Sequence, residues 1–103
     1  MNRNYLRAMP REWRNLSRVF AALGDEHRQR IVLTFEPGEH LNAGAIAAVS
    51  TLSRTTVSHH LKVLREAGVL GREKVGKEVL YWLDKEFLVS ALGAVRDYLR
   101  DRA

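Results

Sequence analysis

The chain contains no cysteine. That excludes disulfides, thiol redox switching and every thiolate metal site. No stretch approaches the roughly 20 apolar residues that span a bilayer. Arg3, Arg7, Arg11 and Arg14 interrupt the N-terminus and leave no apolar core for a signal peptide. Enzyme signatures are missing as well. There is no Cys nucleophile, no phosphate-cradling glycine loop and no Ser/His/Asp pattern. The expectation is a cytoplasmic chain without a membrane partner, without a cofactor and without catalysis. A length of 103 residues fits one domain, and the modest core of so short a chain favours an oligomer.

What is present is positive charge, unevenly spread. The net charge is +5. Residues 1–30 carry seven basic and three acidic groups, and residues 54–77 carry six basic and two. Residues 31–53 hold only Glu36 and Glu39 as charges, and residues 78–103 are nearly balanced. Clustered Lys and Arg are the electrostatic footprint of a polyanion binder. The competing explanation is a charge that merely aids solubility.

The second basic block holds the most informative stretch, Ser53 to Gly68. Ser53 can cap a helix, and Gly68 can take the left-handed conformation that ends one. On a helical wheel Val57, Leu61 and Leu64 share one side, with His60 at its edge. Thr55, His59 and Lys62 share the other. The outward face of the first two turns is small, polar and basic, with no acid. Small hydroxyls permit close approach to a major groove, and Arg, Lys and His donate to base edges and phosphates. An ordinary amphipathic surface helix would look much the same, so the neighbours decide.

Pro10 suits a helix start. From it to Leu23 the residues Trp13, Leu16, Val19, Phe20 and Leu23 share one face, opposite Arg11, Arg14 and Arg18. Gly24 ends this helix, and Asp25 caps the next, which runs to about Phe35. Glu36 to Glu39 reads as a loop around Pro37 and Gly38. A short alanine-rich helix from about Asn42 to Val49 and a turn at Ser50 to Leu52 lead into the Ser53 helix. That succession is a helix-turn-helix pattern over about residues 42–67. Ala47, Leu52, Val57 and Leu61 are its natural internal contacts.

After Gly68 the period changes. Two short strands over about residues 69–83 join through Gly76-Lys77. Arg72, Lys74 and Lys77 make the hairpin basic, so it reads as a wing able to reach the phosphate backbone. Asp84 caps a last helix over residues 85–102. Leu88, Ala91, Leu92, Val95, Tyr98 and Leu99 line one side of it. With the Trp13–Phe20 face of the helix at 10–23, this stripe is expected to form a homodimer interface. Two-fold symmetry doubles the contacts of a helix-turn-helix on a palindromic site.

Several segments together resemble the ArsR/SmtB family of small winged-helix repressors. They are Val19-Phe20-Ala21-Ala22-Leu23-Gly24-Asp25, Arg28-Gln29-Arg30-Ile31, Thr56 to Leu70, and Tyr81-Trp82-Leu83. The resemblance covers about Val19 to Tyr98. It implies a mainly α fold of five helices with a two-stranded wing. It also implies a homodimer through the first and last helices, with Trp13, Leu16, Phe20, Leu88, Leu92, Val95, Tyr98 and Leu99 as interface candidates. Repression by sitting on double-stranded operator DNA, with release by a signal, follows as the expected activity. DNA contacts fall on Arg54, Thr55, Thr56, Ser58, His59 and Lys62, and on the wing at Arg72, Lys74 and Lys77. His60 matches a usual family histidine and reads as structural.

The signal is where the sequence departs from the family pattern. The positions of the Cys-x-Cys pair used by arsenic sensors hold Asn42 and Gly44. The last helix offers Glu86, Asp97 and Asp101 but no His, and carboxylates alone are poor zinc ligands. Adjacent histidines at 59 and 60 diverge by about 100° on a helix and cannot chelate one ion together. No metal site is expected, and the inducer is left open. The alternative function is a winged-helix protein-interaction module that has lost DNA binding. An acidic or apolar recognition face would favour it.

Overall fold

The computed structural model describes residues 8–102. Five α-helices and one hairpin follow in order: α1 (Leu16–Leu23), α2 (Glu26–Thr34), α3 (Ala43–Ala48), α4 (Arg54–Glu66), β1 (Leu70–Val75), β2 (Glu78–Leu83) and α5 (Lys85–Arg102). This is the mainly α, winged architecture that the periodicity implied. A single 3-10 turn at Arg11–Trp13 precedes α1.

That turn corrects one expectation. The helix read from Pro10 to Leu23 is broken at Asn15, which sits at φ −113°, ψ 10° and makes no side-chain cap. Asn is a mediocre helix former. The broken segment lets Trp13 meet the Tyr98 ring edge-on at 5.5 Å between centroids, tying the N-terminal turn to α5.

The caps were readable from residue type. Asp25, Asn42 and Ser53 each accept a hydrogen bond from the backbone N–H three residues on. Asp84 does the same for Phe87 at the start of α5. The stop of α4 is doubly glycine-dependent. Gly68 lies at φ +86°, and a Cβ there would come within 2.8 Å of the Phe87 ring. The same residue thus ends α4 and seats the first turn of α5 against it.

The core gathers where α1, α2, α3, α4 and the base of the wing converge. Ala22, Ile31, Phe35, Ile46, Val57, Leu61, Leu64, Val69 and Leu70 are buried together. Ala47, Leu52, Leu41, Tyr81 and Leu88 pack against that cluster from its margin. Burial of side chains of this size contributes about 1.5–3 kcal/mol each. By contrast α5 contains no buried residue.

The wing is antiparallel, with Leu70 opposite Leu83 and Val75 opposite Glu78. Gly76 and Lys77 form its two-residue loop, and Gly76 alone takes positive φ, +63°. That places glycine at the first central position of a II′ turn, where its twist matches the strands. The loop before α3 contributes more than expected. Leu41 N donates to Tyr81 O at 2.9 Å, and Tyr81 N donates to Leu41 O at 2.8 Å. This isolated bridge adds a one-residue third strand at the β2 edge of the hairpin.

Candidate nucleic-acid interface

The buried side of α4 is Val57, His60, Leu61 and Leu64. Backed by that anchor, Arg54, Thr55, Thr56, Ser58, His59 and Lys62 are all exposed. Thr55, His59 and Lys62 thus lie opposite the buried side, as the wheel required, and Arg54, Thr56 and Ser58 are exposed on either flank of them. Ser53 Oγ accepts from Thr56 N at 3.2 Å and donates to Thr56 Oγ1 at 2.9 Å. The Thr56 hydroxyl is thus held at the helix start. The Arg54 guanidinium carbon lies 4.0 Å from where a Cβ on Gly44 would sit, beside the N-terminus of α3.

Lys62 Nζ lies 3.9 Å from Glu66 Oε1, with both side chains more than half exposed. Such a pair contributes little and is readily exchanged for a phosphate. In the wing, Arg72, Lys74 and Lys77 are exposed. Arg72 and Lys74 project from the same face of β1, two residues apart. The wing is braced against α3, because Asn42 Nδ2 donates to Glu78 Oε1 at 2.9 Å. Asn42 therefore works twice, since its Oδ1 also caps α3 by accepting from Ala45 N at 2.7 Å.

The arginines before α4 do not form one stripe. Arg11 and Arg14 border a small cleft with Phe87, Ser90 and Ala91 of α5. Arg18 instead borders a groove with Arg28, Val63 and Glu66.

The eight interface candidates divide. Leu16 is buried within its own chain, and Leu88 packs against the core. Trp13 is half-buried against Tyr98. Phe20, Leu92, Val95 and Leu99 line an open apolar cleft between α1 and α5. Phe20 is 48% exposed and Leu99 60%.

Two features were not read from the sequence. The first is Arg28, whose Nε donates to Ala22 O at 2.7 Å and whose Nη2 donates to Ala21 O at 3.2 Å. Gln29 Nε2 donates to Leu23 O at 2.6 Å. Two side chains of α2 thus join the Gly24 N–H, which donates to Ala21 O, in satisfying the carbonyl end of α1. Arg28 Nη1 also donates to His60 Nδ1 at 3.2 Å. Burial pushes the His60 imidazole below its ordinary value, with Arg28 and the neighbouring histidines acting in the same direction against Asp25. The second is Trp82, which stacks on His40 at 4.8 Å and covers Gly71.

The histidines are closer than their spacing suggested. The His27 ring stacks on that of His60 with centroids 6.1 Å apart, and His59 lies 5.9 Å from His60 at a tilt of 52°. Among the described residues no three His, Asp or Glu side chains gather as a metal site would require.

A short helix, a tight turn and a longer helix with a buried back and a polar front, followed by a braced hairpin, make this a winged helix-turn-helix protein. A helix-turn-helix domain model matches residues 23–71. The transcriptional repressor SdpR of Bacillus subtilis is 27% identical over 84 residues, covering 82% of this chain and 92% of that one. A cadmium resistance transcriptional regulatory protein CadC homolog of Staphylococcus aureus is 35% identical over 72 residues, or 70% of this chain and 60% of its own. The chain thus spans less than two thirds of that relative. Among solved structures, an ArsR-like transcriptional regulator from Rhodococcus sp. RHA1 superposes with a TM-score of 0.77 at 27% identity, covering 86% of this chain and 81% of that one. The chain belongs to the ArsR/SmtB family of winged helix-turn-helix transcriptional regulators.

Proposed function

We propose that this DNA-binding regulator acts as a homodimeric repressor on a palindromic operator, with α4 in successive major grooves and the wing on the flanking backbone. The observation that carries the reading is the free face of α4. Its first two turns offer Arg54, Thr55, Thr56, Ser58 and His59 to solvent with no acidic residue among them. Hydroxyls and short polar groups permit the approach that direct readout needs, and the cations supply phosphate affinity. An interaction module without DNA binding would present an apolar or acidic face here instead.

The apolar strip of Phe20, Leu92, Val95 and Leu99 supports dimerisation, since it stays open among the described residues. A two-fold copy would cover it and set two recognition helices at a fixed spacing. Release by a signal is part of the proposal, and the cytoplasm is its expected compartment. No helix among the described residues is long and apolar enough to cross a membrane.

Selection of duplexes from a random pool, followed by fluorescence anisotropy across a salt series, tests the reading. Enrichment of an inverted repeat is expected. Affinity should fall by about 10³ or more between 50 and 200 mM salt if six phosphates are neutralised. Failure to enrich any sequence would refute it.

A further inference from the structure

Behind the DNA-facing surface lies a contact that such a surface does not itself require. Arg28 on α2 reaches two elements at once. Its Nε and Nη2 donate to the carbonyls of Ala22 and Ala21 at the end of α1, and its Nη1 donates to Nδ1 of His60 in the middle of α4. A guanidinium has donors only and keeps its proton in proteins. Nδ1 of His60 must therefore accept, which leaves the ring proton on Nε2 and the imidazole neutral. A second proton on Nδ1 would set N–H against N–H across 3.2 Å and one cation against another.

We propose that Arg28 and His60 form a proton-sensitive clasp, which holds the recognition helix in its DNA-binding position while His60 is neutral and lets it go when His60 takes a proton. The readout rests on the DNA-binding reading above. The geometry does not.

The charged and titratable groups around His60 set one anion, Asp25, against Arg28 and two neighbouring histidines. From α2 come Arg28 itself and the stacked ring of His27. From the α2 cap comes Asp25, whose Oδ1 is already committed to the backbone N–H of Arg28 at 3.1 Å. From α4 itself comes His59. Arg18 of α1 and Glu66 of α4 border the adjoining groove with Arg28. The α3 sequence Ala43–Ala48 carries no charge. His60 is only 8% exposed, so water does little to shield the cation that protonation would create. Burial, with Arg28, His59 and His27, outweighs the attraction of Asp25 and holds the imidazole below its ordinary value of 6.5.

Acidification therefore strains the corner where α1 and α2 meet α4. The exposed histidine next door has the opposite sign. A proton on His59 adds a cation to the DNA-facing surface and strengthens phosphate contact. The two residues can thus be told apart by direction alone.

The experiment uses the full chain and a duplex selected at about pH 8, on the alkaline side of the ordinary imidazole range. Anisotropy is read from there down to about pH 5.5 at fixed ionic strength, and ring nitrogen NMR follows the DNA-free protein in parallel. Wild type is expected to lose about tenfold in affinity, near the low end of ordinary coupling between sites. The NMR should show His60 as the Nε2–H tautomer with a midpoint below 6.5. His60→Asn keeps an acceptor where Nδ1 was and cannot take a proton. Its affinity should stay close to wild type at the alkaline end and no longer fall on acidification. His59→Gln should retain the acid loss. A His59→Gln profile that is flat or rises on acidification overturns the clasp, as does a loss that survives His60→Asn. If that variant fails to fold, the wild-type tautomer decides, because a proton on Nδ1 at neutral pH overturns the clasp outright. If no duplex is selected, the DNA-binding reading fails while the NMR titration still tests the contact.

Discussion

The indole of Trp82 lies over the bare Cα of Gly71, its cross-strand partner, in the space a Cβ would fill. Stacked on its other side is His40, so the ring joins the base of the wing to the loop before α3. The hairpin is consequently held from both sides, by Trp82 near its base and by the Asn42–Glu78 hydrogen bond toward its tip. A wing fixed in this way can present Arg72, Lys74 and Lys77 at a defined distance from α4.

Gly71→Ala should therefore destabilise the chain although it adds one methyl. Displacing a packed ring costs about 1–3 kcal/mol. Urea unfolding followed by Trp fluorescence measures it. An unchanged midpoint would mean that Trp82 moves aside freely and that the wing is not braced there.

Arg54 and Lys77 should fail differently. Arg54 stands at the leading turn of α4, and Lys77 at the wing loop. Arg54→Ala is expected to cost about 1–3 kcal/mol on a selected operator and much less on random duplex. Lys77→Ala should weaken all duplexes alike and reduce the salt slope by about one phosphate equivalent. Equal losses on both duplexes for both variants would contradict this division.

Stability should depend on pH in a window set by His60. Its folded imidazole is held below the ordinary value of 6.5, chiefly by burial. Below that pH the unfolded chain binds more protons than the folded one, so stability falls as pH falls. Above it both forms are neutral and His60 contributes no slope. Asp25 acts lower down. Its carboxyl is held below 3.8, chiefly by the backbone N–H of Arg28, so its contribution is present above that value and lost on further acidification. Thermal melts should show a level Tm on the alkaline side of 6.5 and a decline below it. His60→Asn should remove the first part of that decline. A wild-type Tm that is level through mild acid would contradict the assignment.

Most of the architecture was legible in the sequence because it is written in caps and periods. Asp25, Asn42, Ser53 and Asp84 mark four helix starts, and Gly68 and Gly76 occupy the positive φ that their turns demand. Alternation on the wheel separated Val57 and Leu61 from Thr55 and His59, and the structure places them accordingly. What escaped was tertiary. Nothing in the local pattern says that Asn15 breaks the first helix so that Trp13 can reach Tyr98, 85 residues later. The Leu41–Tyr81 bridge is a single residue long and leaves no period. Arg28 stood only as part of a family-like segment, since its three acceptors lie on other elements. The interface list mixed two faces for the same reason, with Leu16 and Leu88 turned inward and Phe20 and Leu99 outward.

The outward pair leads to a prediction about assembly. Leu99→Glu places a charge on the strip shared with Phe20, Leu92 and Val95, at a position that is 60% exposed within the chain. The monomer fold should be retained, as judged by Tm and circular dichroism. Sedimentation should shift from dimer to monomer, because an unpaired buried carboxylate opposes association. A wild-type chain that is monomeric, or a variant that stays dimeric, would remove the strip from the interface.

One titration weighs the central claim most directly: stoichiometry and specificity, read together on a selected duplex and on a scrambled one at physiological salt. Two protomers per selected duplex are expected, with a preference of about 10³ or more over the scrambled sequence, the ordinary range for a specific regulator. One protomer per duplex, or equal affinity for the two sequences, would show that the polar front of α4 does not read DNA as argued.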